Sequence, residues 1–255
     1  MPETPKTNMV FDQLATAYGS ARPEYPERTA SFLLEKLKVA QSVKVLDLAA
    51  GTGKFTRHVL RYTSNATAAD LSPKMLEQLS QRFPSTEVVQ ASAEEMPFPA
   101  QTFDVVVCAN AFHWFATQKS LAEIARVLKP RGSLGLIWTV LDENHDSIRS
   151  LLSQVGYHAK NIPRFQSNEW KHCFEQTDLF TSLREKMFRS AQEYTSKTLI
   201  NFLNTMSFWA EKSESEQRLQ AEQVMKDLPR LFKVPSSASK ISLRFLTHVY
   251  WCKKI

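Results

Sequence analysis

One stretch constrains this chain more than any other: Val43-Lys44-Val45-Leu46-Asp47-Leu48-Ala49-Ala50-Gly51-Thr52-Gly53-Lys54-Phe55. It opens as a short apolar, β-branched run closed by an acid, which reads as a buried strand. Small residues follow, and then Phe55, Val59 and Leu60 take up helical spacing. Strand, small-residue turn and helix form the unit with which α/β folds bring main chain up against a ligand. Gly51 and Gly53 lack a Cβ, so a ligand can rest on the backbone there. The helix that follows turns its N-terminal N–H groups into the same crevice.

The same alternation continues along the chain. Ala66–Ala69 predicts a second strand ending at Asp70, and Ser72-Pro73 caps and opens a helix with Met75, Leu76 and Leu79 on its inner face. Strands are expected at Glu87–Gln90, Phe103–Ala109 and Ser133–Val140, with a helix carrying Leu121, Ile124, Ala125 and Leu128 and a turn at Arg131-Gly132. Two later strands fall within Phe180–Ser190 and Ile241–Cys252. Between them, Leu199 to Trp209 reads as an amphipathic helix and Ser213 to Asp227 as a charged one. Upstream, Phe11, Leu14, Ala15 and Tyr18 lie on one helical face, and Phe32, Leu33, Leu34 and Leu37 mark a second helix. The expected fold is therefore α/β: a doubly wound, seven-stranded, mainly parallel sheet. N-terminal lid helices occupy residues 1–40. The main domain runs over 41–255 and carries a helical insertion at about 196–232, before the last strand.

Composition narrows the partners. The formal charge of +6 is spread thinly, without a like-charge run, so a basic nucleic-acid footprint is not expected. No run of ~18 apolar residues is present, so no membrane span is expected. The first eight residues are polar and have no apolar signal core. Cys108, Cys173 and Cys252 are three in number and far apart, which favours a reducing, cytoplasmic compartment and argues against a zinc site or a disulfide framework. Monomer or weak dimer is the expected state.

Which ligand does the central loop take? A P-loop needs GxxxxGK followed by Ser or Thr; Leu48 stands at its first glycine and Phe55 follows Lys54. A dinucleotide fingerprint needs a third glycine where Thr56 stands, and Asp47 would lie close to a pyrophosphate. The acid suits a cation instead. Asp47-Leu48-Ala49-Ala50-Gly51-Thr52-Gly53 resembles the first motif of the class I S-adenosylmethionine-dependent methyltransferases, with Ala49 in place of the family's first glycine. Asp70 then stands where that family places an acid for the ribose hydroxyls, and Leu71-Ser72-Pro73 resembles its continuation. Ser92-Ala93-Glu94 resembles the adenine-side loop, with Ser92 where many members have Asp. The segment Asn110-Ala111-Phe112-His113-Trp114 and the leading Tyr18, Arg22 and Pro23 resemble the small-molecule subgroup that holds trans-aconitate methyltransferase.

The resemblance implies a Rossmann-like methyltransferase fold, S-adenosyl-L-methionine as cofactor and no metal. It implies cofactor contacts from Tyr18, Arg22, Asp47, Ala49, Ala50, Gly51, Gly53, Asp70, Leu71, Ser92, Ala93, Glu94 and Asn110. Tyr18, His113 and Trp114 fall on the acceptor side. The activity implied is methyl transfer to an oxygen (carboxylate or hydroxyl) or nitrogen of a small molecule by in-line displacement. His113, just past the fourth strand, is the candidate general base, with an aromatic wall as its other reading. The competing functions are tRNA or rRNA methylation and cofactor binding without catalysis. Against the first, Asn110-Ala111-Phe112-His113 replaces the Asn/Asp-Pro-Pro-aromatic motif of amino-methylating enzymes, and there is no Pro-Cys nucleophile loop or appended RNA-binding module.

Overall fold

A computed structural model describes residues 21–157, 163–210 and 212–255. The helix expected over Phe11 to Tyr18, and Tyr18 itself, lie outside the described residues. Among the described residues, seven strands form one sheet: β1 (Val45–Leu48), β2 (Ala66–Asp70), β3 (Glu87–Gln90), β4 (Phe103–Ala109), β5 (Leu128–Leu141), β6 (Arg184–Tyr194) and β7 (Ile241–Lys253), in the order β3-β2-β1-β4-β5-β7-β6. β1 pairs in parallel with β2 and β4, β2 with β3, and β4 with β5. β7 reverses. Lys254 N–H donates to Gly132 C=O and Asp142 N–H to Arg244 C=O, so residue numbers rise on one strand as they fall on the other. The bond from Thr181 N–H to Lys253 C=O and the Lys240–Glu193 ion pair give the same sense against β6.

The helices are α1 (Glu27–Lys36), α2 (Thr56–Val59), α3 (Pro73–Arg82), α4 (Gln118–Val127), α5 (Asp146–Gln154), α6 (His172–Glu175), α7 (Ser196–Asn204), α8 (Ser207–Ala210) and α9 (Glu214–Phe232). α3 starts as its sequence predicts: the Ser72 hydroxyl accepts from Met75 N–H and Pro73 fills the first turn. Such a cap is worth about 1 kcal/mol. The single helix expected from Leu199 to Trp209 is broken in two: α7 ends at Asn204, and the next residue, Thr205, donates its hydroxyl to Phe202 C=O at 2.6 Å.

β5 begins earlier than expected. Phe103 pairs with Leu128 and Val105 with Ser133, so residues 129–132 bulge opposite Asp104. Arg131 takes φ 62° there, which is the local turn the sequence signalled. The strand survives it because Asp104 accepts from both Lys129 Nζ, at 2.7 Å, and Lys44 N–H, at 2.9 Å. These bonds hold the Asp104 carboxyl below the usual range although burial opposes them.

The chain divides into two compact units. The larger comprises Glu24–Trp138, Pro163–Phe188 and Thr247–Ile255; the other holds Arg22, the chain from Thr139 and Arg189–Leu246. In the larger unit, α1 lays Ala30, Leu33, Leu34 and Leu37 on alternate strand residues Val45, Val105, Val107 and Ile137. The period of two puts these residues on one face of the sheet. In the other unit, α5, α7 and α9 enclose a separate core that includes Leu151, Leu203, Trp209 and Leu228. Phe202, Met206, Phe208 and Trp209 are buried in that core. Among the described residues, no helix is long and apolar enough to cross a membrane.

Candidate active site

Because β1 to β4 run in parallel, their carboxyl ends share one edge of the sheet. Strand order reverses at β1, which has β2 on one side and β4 on the other. A crevice outside such a switch point is where doubly wound sheets bind ligands. The larger unit carries to this edge Asp47 and the glycine loop after β1, Asp70 and Leu71 at the end of β2, Ser92, Ala93 and Glu94 after β3, and Asn110, His113 and Trp114 after β4.

Asp47 is fully buried. Its Oδ2 accepts from the Thr56 hydroxyl at 2.7 Å, while its Oδ1 is buried with no hydrogen-bond partner. Burial pushes the Asp47 carboxyl up to about 7; the Thr56 bond opposes this and the charge of Asp70 adds to it. An orphaned carboxylate oxygen in a dry site is unfavourable alone and is satisfied by an ammonium or another donor. Thr56 went unnoticed in the sequence, where it counted only as a missing third glycine. Thr52 Oγ1, between the two glycines, is a second buried atom with no partner.

The loop is stitched to β2. Ala50 N–H donates to Ala69 C=O at 3.0 Å, Gly51 N–H to Asp70 Oδ2 at 2.8 Å, and Ser72 N–H to Asp70 Oδ1 at 2.9 Å. Asp70 is thus held in one orientation. Leu71 beside it is 39% exposed, one of few large apolar side chains left open among the described residues. The two glycines differ. A Cβ on Gly51 would meet nothing within 4 Å, whereas one on Gly53 would stand 2.9 Å from Phe83 and 3.0 Å from Leu79. Gly51 therefore faces open space and Gly53 faces α3.

Ala49 sits at φ 57°, the left-handed region. A residue with a Cβ pays roughly 1–2 kcal/mol there. Ala49→Gly should recover that strain less the ~0.5–1 kcal/mol of extra chain entropy glycine brings. We expect a net gain of about 0.5–1 kcal/mol in urea unfolding; a loss of stability would contradict the strain.

The remaining predicted positions are placed as follows. The Ser92 hydroxyl accepts from Glu94 N–H and its carbonyl from Glu95 N–H, a self-contained turn. The Glu94 carboxylate accepts from the Thr117 hydroxyl at 3.1 Å and lies 3.7 Å from Lys119 Nζ, so it faces the start of α4. Asn110, at φ 56°, ends β4 with its N–H on Ile137 C=O. His113 lies on a 3₁₀ turn (Phe112–Trp114), with Nδ1 accepting from Trp138 Nε1 at 3.0 Å. Arg22 belongs to the smaller unit, where its guanidinium donates to Thr205 C=O at 2.7 Å and lies over Phe202. Among the described residues, no cluster of His, Cys, Asp and Glu could hold a metal ion.

Comparison with known proteins shows the family. The family model described as a methyltransferase domain matches residues 46–136. An uncharacterized methyltransferase-like protein of Schizosaccharomyces pombe is 32% identical over 241 residues, covering 93% of this chain and 92% of that protein. A malonyl-[acyl-carrier protein] O-methyltransferase of Enterobacter lignolyticus is 30% identical over 136 residues, covering 51% of this chain and 54% of its own. The solved structure of the YcgJ protein from Bacillus subtilis shares the fold, with a TM-score of 0.59, 19% identity, and coverage of 90% of this chain and 99% of that one.

Proposed function

The chain belongs to the class I S-adenosylmethionine-dependent methyltransferases, and from that premise we propose that it methylates an oxygen or nitrogen atom of a small molecule, with the cofactor seated on the loop after β1. The observation that carries this reading is the pair of acids. Asp47 offers a buried, unpartnered carboxylate oxygen for a cationic amino-acid tail, and Asp70, held by the N–H groups of Gly51 and Ser72, is the acid for the hydroxyl groups. Gly51 leaves the backbone open to the ligand, and the exposed side chain of Leu71 gains a cover from its apolar parts. Ser92, Ala93 and Glu94 form the adenine side of the seat, and Asn110 closes it at β4.

When bound, S-adenosylmethionine supplies a sulfonium methyl already activated for in-line displacement. The protein's task is then alignment and exclusion of water, worth ~7–11 kcal/mol when the reacting atoms are well placed. His113 and Trp114 face the acceptor in this reading. The name of the Enterobacter relative supports an oxygen acceptor, and a carboxylate would need no base.

The test is transfer of labelled methyl from S-adenosylmethionine to a panel of small carboxylic acids, alcohols and amines, with bulk tRNA and rRNA in parallel. Label in a small molecule is expected. Label confined to RNA would overturn the substrate class, and cofactor binding with no acceptor in any cell extract would make the chain a binding protein.

A further inference from the structure

We propose that Trp138 is a positioning residue that fixes His113 as a neutral imidazole with its proton on Nε2, so that His113 acts as a hydrogen-bond donor and not as the proton acceptor of the reaction. The indole N–H can only donate. It points at His113 Nδ1 from 3.0 Å, so Nδ1 must accept with its lone pair and the single proton of the neutral ring sits on Nε2. Neither nitrogen is then available to take a proton: Nε2 already carries one, and Nδ1 is engaged by the indole. A base role would require the ring to turn away from Trp138 and leave a buried N–H without a partner, which folded proteins avoid.

The rings are held for this. Trp138 is 1% exposed, with the Trp170 ring 4.6 Å and the Phe165 ring 4.9 Å from it and Tyr250 edge-on at 5.9 Å. Three aromatic neighbours thus pack against the indole. On the other side, His113 is carried on a turn anchored by fully buried Phe112, with the Trp114 ring 5.3 Å away. The sequence placed His113 past β4 and Trp138 inside β5, but nothing in their spacing showed that an indole N–H would meet an imidazole nitrogen.

The inference rests on the reading of this turn as the acceptor side. It restricts the acceptor to atoms that reach the methyl without giving a proton to His113: an ionised oxygen, or an amine already neutral.

The test needs no acceptor. In protein labelled with ¹⁵N-histidine, long-range ¹H–¹⁵N correlation reads the tautomer of each ring, and His113→Gln identifies the His113 signals. The expected result is a single Nε2–H pattern for His113, replaced in Trp138→Phe by averaged tautomers. A proton on Nδ1 in the native protein, or on both nitrogens, would overturn the proposal; so would a native pattern retained in Trp138→Phe. Should that variant fail to fold, the Trp138 indole proton decides: it should be protected from solvent exchange in the native protein and lose at least tenfold of that protection in His113→Ala. Equal protection in both would overturn the role of the pair. Cofactor binding is measured separately, so a wrong tautomer and a wrong cofactor seat give different results.

Discussion

Asp47→Asn is expected to make the ligand-free protein more stable at pH 8, less stable at pH 4, and a much poorer binder of S-adenosylmethionine. Burial disfavours the charge of the folded carboxyl and pushes it up to about 7 from its ordinary value of 3.8. Between those values the folded state holds the proton that the unfolded state has released. Stability therefore falls as pH rises from about 4 to 7, by a total on the order of 4 kcal/mol at ~1.4 kcal/mol per unit. Asparagine has no charge to bury, so that loss disappears. Its amide N–H group inherits the unpartnered position of Oδ1 and costs about 1–3 kcal/mol at every pH. The net is a gain of roughly 1–3 kcal/mol at pH 8 and a loss of similar size at pH 4. Urea unfolding at the two pH values should show the crossing; parallel curves would mean that Asp47 ionises normally.

Binding should move the other way. A hydrogen bond to a charged partner is worth about 1.5–3 kcal/mol, so the variant should lose about 10- to 100-fold in affinity. In the native protein, a cation at Asp47 drives off its proton. Affinity should then fall by up to about tenfold per pH unit below 7, with proton release visible in buffers of different ionisation heat. Asp47→Asn should abolish that pH dependence.

Gly51→Ala and Gly53→Ala are expected to fail for different reasons. Both glycines have positive φ, 56° and 81°, so each alanine pays the left-handed strain of roughly 1–2 kcal/mol. At Gly51 the new methyl meets no protein atom and points into the space assigned to the cofactor. That variant should fold with a modest stability loss and bind S-adenosylmethionine at least tenfold more weakly. At Gly53 the methyl would stand 2.9 Å from the Phe83 ring, in the packed contact between the loop and α3. Overpacking adds ~1–3 kcal/mol, for a total of roughly 2–5 kcal/mol. Such a variant should lose most of its stability while the molecules that remain folded bind nearly normally. Thermal unfolding and calorimetry on both variants separate the two cases; equal effects on binding would contradict the division of roles.

Much of this was legible in the chain. Asp47, Gly51 and Asp70 could be placed because strand ends and glycine loops are local features, and the proposed preference for a cation over a phosphate rests on the acid. The alternation of strand and helix likewise places Ser92 and Asn110 on the same edge as Asp47. What stayed hidden was side-chain direction. Thr56 looked like a defect in a glycine motif, yet its hydroxyl holds Asp47, because the first turn of α2 folds back over the end of β1. Trp138 read as one apolar residue in a strand, and only the 3.0 Å contact with His113 gives its N–H a purpose. The break after α7 was missed because Thr205 fits an amphipathic pattern as well as it ends a helix. The bulge at residues 129–132 was seen as a turn but not as part of a strand, since the ties from Asp104 that keep β5 in register come from a neighbouring strand.

Whether the loop after β1 seats S-adenosylmethionine decides the proposed function. Titration calorimetry of the purified chain at pH 8 tests it most directly. One cofactor should bind per chain, with affinity reduced at least tenfold in both Asp47→Asn and Gly51→Ala. Absence of binding by the native chain, or native affinity in both variants, would contradict it.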